Sequence, residues 1–209
     1  VTSYYESNWG FCITKHEFEK LGEGPFRVYI DSSLKSLEEG GVLNFGEVVL
    51  EGKSTQEILF STYICHPSMA NNELSGPVLS IALIKNLSKT NHHYTYRFLF
   101  LPETIGSICY LSKNFEKMKK NIIAGWVLTC IGDKGTFSYI PSRLGNNYAD
   151  RITKEVLGIQ VPEFISYSWL DRGSDERQYC SPGIDLPICG ITRSKYDTYP
   201  EYHTNLDNL

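Results

Sequence analysis

Long hydrophobic runs are absent from this sequence. The longest, such as Ile58-Leu59-Phe60 and Phe98 to Leu101, have the length of strands and fall far short of the roughly 20 apolar residues that cross a bilayer, so no membrane partner is expected. A basic excess is absent too. With 20 Lys+Arg against 24 Asp+Glu and a net charge of −4, and only short clusters such as Lys117, Lys119 and Lys120, no face gathers charge for a phosphate backbone, and nucleic acid is not expected as a partner. Val1 to Gly10 lack the charged-then-apolar plan of a secretory signal. The six cysteines include no C-x-x-C pair, and several stand in apolar runs where a reduced thiol packs as a small hydrophobe, which points to a reducing, cytoplasmic setting. Internal repeats, low-complexity tracts and charge blocks are also missing.

What is present is enough for one well-cored domain: 209 residues, 41% of them apolar and 21% charged, exclude a disordered chain. Strand-like and helix-like stretches alternate, the pattern of an α/β fold with a mostly parallel, mixed central sheet and helices on both faces. Phe26 to Ile30, Val42 to Leu50, Glu57 to Cys65, Tyr94 to Leu101, Ile122 to Cys130 and Leu186 to Thr192 read as strands. The spacing of Leu79, Leu83, Ile84 and Leu87 predicts a helix over Val78 to Leu87, with Pro77 in its first turn. Ser107 to Lys119 and Asn147 to Leu157 are the other helices expected.

Polar residues fall where such a sheet tolerates them. Ligands of open parallel sheets collect beyond the carboxyl ends of strands, and His66, Glu103 and Asp133 all follow strand-like runs. Imidazole nitrogens and carboxylate oxygens there are the donors zinc takes, with an open position left for water. Taken singly, each has a plainer role: His66 before Pro67 suits a turn, Glu103 a helix start, and Asp133 after Gly132 an Asx-turn. His16, His92 and His93 lie among polar residues and read as solvated.

The segment from Cys65 to Gly76, C-H-P-S-M-A-N-N-E-L-S-G, resembles the zinc aminopeptidase superfamily that includes leucyl aminopeptidases and glutaminyl cyclases, in which a strand-end histidine precedes a G-A-N-D-x-x-S-G-like loop. Further matches follow in order. Glu103-Thr104-Ile105-Gly106-Ser107 resembles E-E-x-G-x-x-G-S, Asp133 falls at a strand-end aspartate, Gly173-Ser174-Asp175 through Pro187 resembles S-D-H-x-x-F-x-x-x-G-I-P, and Tyr202-His203-Thr204-Asn205-Leu206-Asp207 resembles the closing Y-H-T-x-x-D. Trp9 to Cys12 and Asp171 to Tyr179 extend the likeness to an aminopeptidase-like branch described with polysaccharide biosynthesis. This resemblance implies a zinc-exopeptidase-like fold, a single aminopeptidase-like core over residues 1–209, and residues 1–41 as the remnant of an extra N-terminal or inserted subdomain.

The departures bear on the metal. Asn72 stands at the place of the aspartate that bridges two zinc ions, Thr104 at that of a ligand glutamate, and Ser68 at that of the H-x-D aspartate. The resemblance therefore implies one zinc, held by His66, Asp133 and His203 with Asn72 or Glu73 assisting, and Glu103 as the base that activates water for cleavage of a peptide or small amide bond. Arg172, Asp175 and Arg177 would meet the charged ends of the substrate, Asp175 taking an amine, and Tyr202 would line the pocket. The expected partner is a peptide, amide or amino-sugar small molecule. The competing expectation is a repurposed fold that binds such a molecule, or serves polysaccharide biosynthesis, without peptidase activity. A serine hydrolase using Ser68 or Ser75 is disfavoured because neither lies in a G-x-S-x-G elbow.

Overall fold

Runs of apolar, β-branched and aromatic residues make the central strands, because a strand covered on both faces needs side chains that pack on either side. In the computed structural model, which describes residues 9–33, 35–66 and 68–208, seven strands form one sheet. They are β1 (Gly46–Leu50), β2 (Glu57–Tyr63), β3 (Thr95–Leu101), β4 (Ile122–Leu128), β5 (Ser138–Ile140), β6 (Ile165–Ser166) and β7 (Ile188–Thr192), in the order β1-β3-β2-β4-β7-β5-β6. The β3-β2-β4-β7 centre is parallel, while β1 on β3 and β5 on β7 are antiparallel. Arg97 of β3 fixes the register against β2 with a buried two-pronged pair, its Nε 2.6 Å and Nη2 2.9 Å from the oxygens of Glu57.

Both faces of the sheet are covered. One core joins Leu59, Leu99, Leu101, Val127 and Ile188 to Tyr110, Leu111 and Met118 of α3 (Ile105–Asn121) and to Tyr179 of α5 (Glu176–Tyr179). The opposite face joins Ala124, Tyr139 and Cys189 to Ala149 and Leu157 of α4 (Tyr148–Gln160). Ile188 and Cys189 are neighbours in β7 yet belong to different cores, as the two-residue period of a strand requires. On the same side as α4, Phe60 stacks between Phe98 and Trp126 at centroid distances of 5.0 and 5.6 Å. There α2 (Ser75–Leu87) seats Gly76 against β2 and β4, where a Cβ would collide with Thr62 and the Leu128 carbonyl. The six cysteines are unpaired.

These elements lie within the unit Leu43–Leu209; the chain's other compact unit is Val1–Val42. In the latter, α1 (Lys15–Lys20) opens on a capping box in which the Glu17 amide donates to Thr14 Oγ1 and the Thr14 amide to the Glu17 carboxylate. The expected strand over Phe26 to Ile30 does not form: those residues have no ladder partner, and β-propensity without a neighbouring strand leaves backbone groups unpaired. Among the described residues no helix is long and apolar enough to cross a membrane.

Candidate functional site

Because β2, β3 and β4 run parallel, their carboxyl ends open on one edge, and the segments that leave them carry His66, Glu103 and Thr129-Cys130 to it. The chain from β2 enters α2 through a single π-helical turn, Ala70–Leu74, which buries Asn71, Asn72 and Glu73. Wider than an α-turn, it leaves its first amides without helical partners. Asp207 accepts them: the Asn71 amide lies 2.6 Å from Oδ1 and the Asn72 amide 3.0 Å from Oδ2, while the Tyr199 hydroxyl donates to Oδ2 at 3.1 Å.

Asn72 is the centre of an uncharged network. Its Nδ2 donates to the Tyr63 hydroxyl at 2.8 Å and faces Cys130 Sγ at 3.5 Å; the Thr129 hydroxyl donates to Tyr63 and, at 3.2 Å, meets the Asn72 carbonyl. Burial holds the Tyr63 phenol and the Cys130 thiol above their ordinary pKa, so both stay neutral. Asn72 Oδ1 is buried with no partner.

Asp133 is placed apart from this network. Its Oδ2 accepts from Asn71 Nδ2 at 3.3 Å and its Oδ1 from the Gly135 amide at 2.9 Å, while Asn71 Oδ1 takes the Gly132 and Asp133 amides at 2.8 and 3.1 Å. Asp133 and Asn71, with Leu74, Val78 and Leu206, line a cleft of about 650 Å³ that neither His66 nor His203 lines. The strand-end groups beside Asn72 are instead Thr129 and Cys130, which the sequence reading passed over.

The two histidines do meet. Their ring centroids are 4.7 Å apart with planes at 74°, and Tyr202 stacks on the far ring, His203, at 3.9 Å and 13°. The His203 pKa is lowered by burial and by the neighbouring His66. Glu73 follows Asn72 in the π-turn. Its Oε1 accepts the Cys65 amide, its Oε2 is buried and unpartnered, and burial pushes its carboxyl up to about 7, against the His66 amide and reinforced by Glu103. Glu103 is raised by burial and by Glu176, with the Ser174 hydroxyl and Arg177 working the other way.

The segment after β6 completes the edge. Asp175 is wholly buried and Glu176 nearly so. The Asp175 carboxyl is raised to about 7 by burial, against bonds from the Thr104 amide and Ser107 hydroxyl. Glu176, given no role in the sequence reading, accepts the Gly173 and Ser174 amides at 3.0 and 3.1 Å and the Tyr196 hydroxyl at 2.8 Å. Arg172 stacks its guanidinium over Trp169 at 4.5 Å with its Nε buried and unpartnered, and Arg177 is exposed.

Among the described residues no three His, Cys, Asp or Glu side chains are grouped to hold a metal. What the edge offers is two adjacent imidazoles and, on consecutive residues of the π-turn, two buried oxygens without protein partners, Asn72 Oδ1 and Glu73 Oε2. Nitrogen and oxygen donors of these kinds fit one zinc ion. The groups that the Asn72 side chain itself meets are amide, hydroxyl and thiol, already bonded to one another.

The chain is similar to a Clostridium acetobutylicum protein described as a candidate polysaccharide biosynthesis protein with an aminopeptidase-like domain, at 46% identity over 209 residues, which is 100% of this chain and 47% of that protein. It superposes on the crystal structure of a candidate peptidase from Clostridium acetobutylicum with a TM-score of 0.90 and 45% identity, covering 100% of this chain and 48% of that one. The chain thus spans about half the length of these relatives. A zinc aminopeptidase from Bacillus subtilis shares the fold at a TM-score of 0.64 and 18% identity, over 78% of this chain and 43% of that one. The sheet, its edge and this likeness together identify a zinc-exopeptidase-like fold. Residues 17–209 match the family described as the domain of unknown function DUF4910, and the chain belongs to that family.

Proposed function

We propose that this chain is the core of a zinc-dependent, aminopeptidase-like hydrolase that cuts a peptide or small amide bond. The observation that carries the reading is the pairing of His66 and His203 at the strand ends of an exopeptidase-like sheet, with Asn72 Oδ1 and Glu73 Oε2 left unpartnered in the π-turn that follows β2. His66 and His203 would hold one zinc, with Asn72 and Glu73 supplying oxygen; Asp133 stays with Asn71 and the Gly135 turn. Zinc in such a place supplies a Lewis acid and lowers the pKa of bound water towards about 7.

The remaining steps belong to the protein. Glu103, whose carboxyl is raised by burial, takes a proton from water and returns it to the leaving amine. Tyr202 orients His203 by stacking on it. Arg177, exposed and close enough to Glu103 to draw its pKa down, would meet a carboxylate of the substrate. The relative's link to polysaccharide biosynthesis adds the amide of an amino sugar to the substrates worth assaying. Six unpaired cysteines suit a reducing compartment such as the cytoplasm.

Elemental analysis of protein purified without chelators tests this. One zinc per chain is expected, lost in His66→Ala and in His203→Ala, together with turnover of leucine p-nitroanilide or a short peptide panel by the wild type. Absence of stoichiometric metal overturns the reading. A second reading, a cleft that binds without cutting, is favoured by the neutral network around Asn72, which closes its hydrogen bonds with one oxygen to spare. Zinc bound at micromolar or tighter affinity and removed by the histidine variants counts against it.

A further inference from the structure

The backbone that carries Glu103 is bent into an uncommon shape. The Ile105 amide donates to the Glu103 carbonyl at 2.7 Å, two residues back, and Thr104 between them has φ 63° and ψ −66°. This is the positive-φ γ-turn, rare and strained for a β-branched residue, and such a turn persists only where its surroundings hold it. It stands at the entrance to α3, where Gly106 is pressed so closely that a Cβ would lie 2.8 Å from Pro102 Cδ and 2.9 Å from Leu101 Cβ.

Three contacts hold the turn. The Glu103 amide donates to Cys65 Sγ at 2.9 Å, the Gly106 amide to the Pro102 carbonyl at 2.8 Å, and the Thr104 amide to Asp175 Oδ1 at 2.8 Å. The same Asp175 oxygen takes the Ser107 hydroxyl at 2.8 Å, which also lies 3.0 Å from the Thr104 carbonyl. Asp175 therefore ties the middle residue of the turn and the first turn of α3 from a segment 71 residues away in sequence. With a relative exposure of 0%, it cannot also be the anchor for a substrate amine.

We infer that Asp175 is a positioning residue: by fastening Thr104 and Ser107 it fixes the γ-turn and with it the direction in which Glu103 presents its carboxylate. The catalytic half of this statement rests on the hydrolase reading above; the clamp does not. One oxygen receives both donors, so Asp175→Asn keeps the clamp through its carbonyl and sets an NH2 where the second, unpartnered oxygen stood, beside Glu103 and Glu176. Asp175→Ala removes it.

Hydrogen exchange of the 209-residue chain, resolved at the Thr104 amide, reads the clamp directly. Exchange there should be at least about 10-fold faster in Asp175→Ala and close to wild type in Asp175→Asn, with the amides of β4 protected in both. Turnover of leucine p-nitroanilide should fall about 100-fold in kcat for the alanine variant, the cost of misplacing a reacting group, with KM and zinc content little changed and rescue by asparagine. An asparagine variant as damaged as alanine, or an alanine variant with Thr104 still protected, overturns the inference. If the wild type turns over nothing, the hydrolase reading fails while the exchange comparison still decides the clamp. If alanine does not fold, Ser107→Ala takes its place, with faster Thr104 exchange expected and unchanged exchange overturning the clamp.

Discussion

The two halves of the strand-end edge are built on opposite electrostatic plans. Around the Asn72 side chain the groups are amide, hydroxyl and thiol, they bond to one another, and a single oxygen is left over. A few residues away Glu73, Asp175 and Glu176 are each almost wholly buried, each with one carboxylate oxygen unpartnered, and Glu103 has its carboxyl raised beside them. Burying charge without compensation is costly, so the first half is stable as it stands whereas the second asks for protons or a cation. In the proposed reading, zinc held by His66 and His203 would supply that cation.

The largest effect that would break this contrast is chemical. Glu103→Gln keeps the shape and removes the base, so turnover should fall about 10²- to 10⁴-fold with zinc content unchanged, measured by peptide cleavage beside elemental analysis. Next comes the neutral half. Asn72→Asp puts a carboxylate among groups that already satisfy one another and should lower the stability of the metal-free protein by about 1–3 kcal/mol, read as the urea midpoint; an unchanged midpoint would mean the half is not neutral by construction.

A smaller effect is the pH response of the acidic half. Glu73 and Asp175 have folded pKa values of about 7, above the ordinary 4.5 and 3.8, so the folded state holds the extra protons. Their contribution to stability is full below about pH 4 and is lost as pH rises through 7, so that in chelator-treated protein these groups make the urea midpoint fall between pH 5 and pH 7.5, with zinc reducing the slope. Smallest of all, Asp133→Ala should leave zinc content unchanged and turnover within about twofold, since that carboxylate serves Asn71 and the Gly135 turn.

Much of the sheet was legible because β2, β3, β4 and β7 are near-continuous apolar runs, and α2, α3 and α4 fall where the periodicity places them, with α2 and α3 opening earlier, at Ser75 and Ile105. The elements passed over are short: three residues in β5, two in β6 and four in α5 show no period to detect. Helix α1 carried a signal that went unread, the Thr14-x-x-Glu17 box. Phe26 to Ile30 shows the reverse case, propensity without a partner strand. In the site, the meeting of His66 with His203 followed from strand-end placement and the closing motif. The engagement of Asp133 with Asn71, and the service of Asp175 and Glu176 to backbone amides, did not, because spacing says that a carboxylate is near an edge and not which donor it faces.

Asp207 carries a consequence for the whole edge. It pins the first amides of the π-turn, and His203 stands four residues before it in one short span of chain. The span works as a buckle: lifting it would withdraw an imidazole from His66 and unhook the Asn71 and Asn72 amides in the same motion.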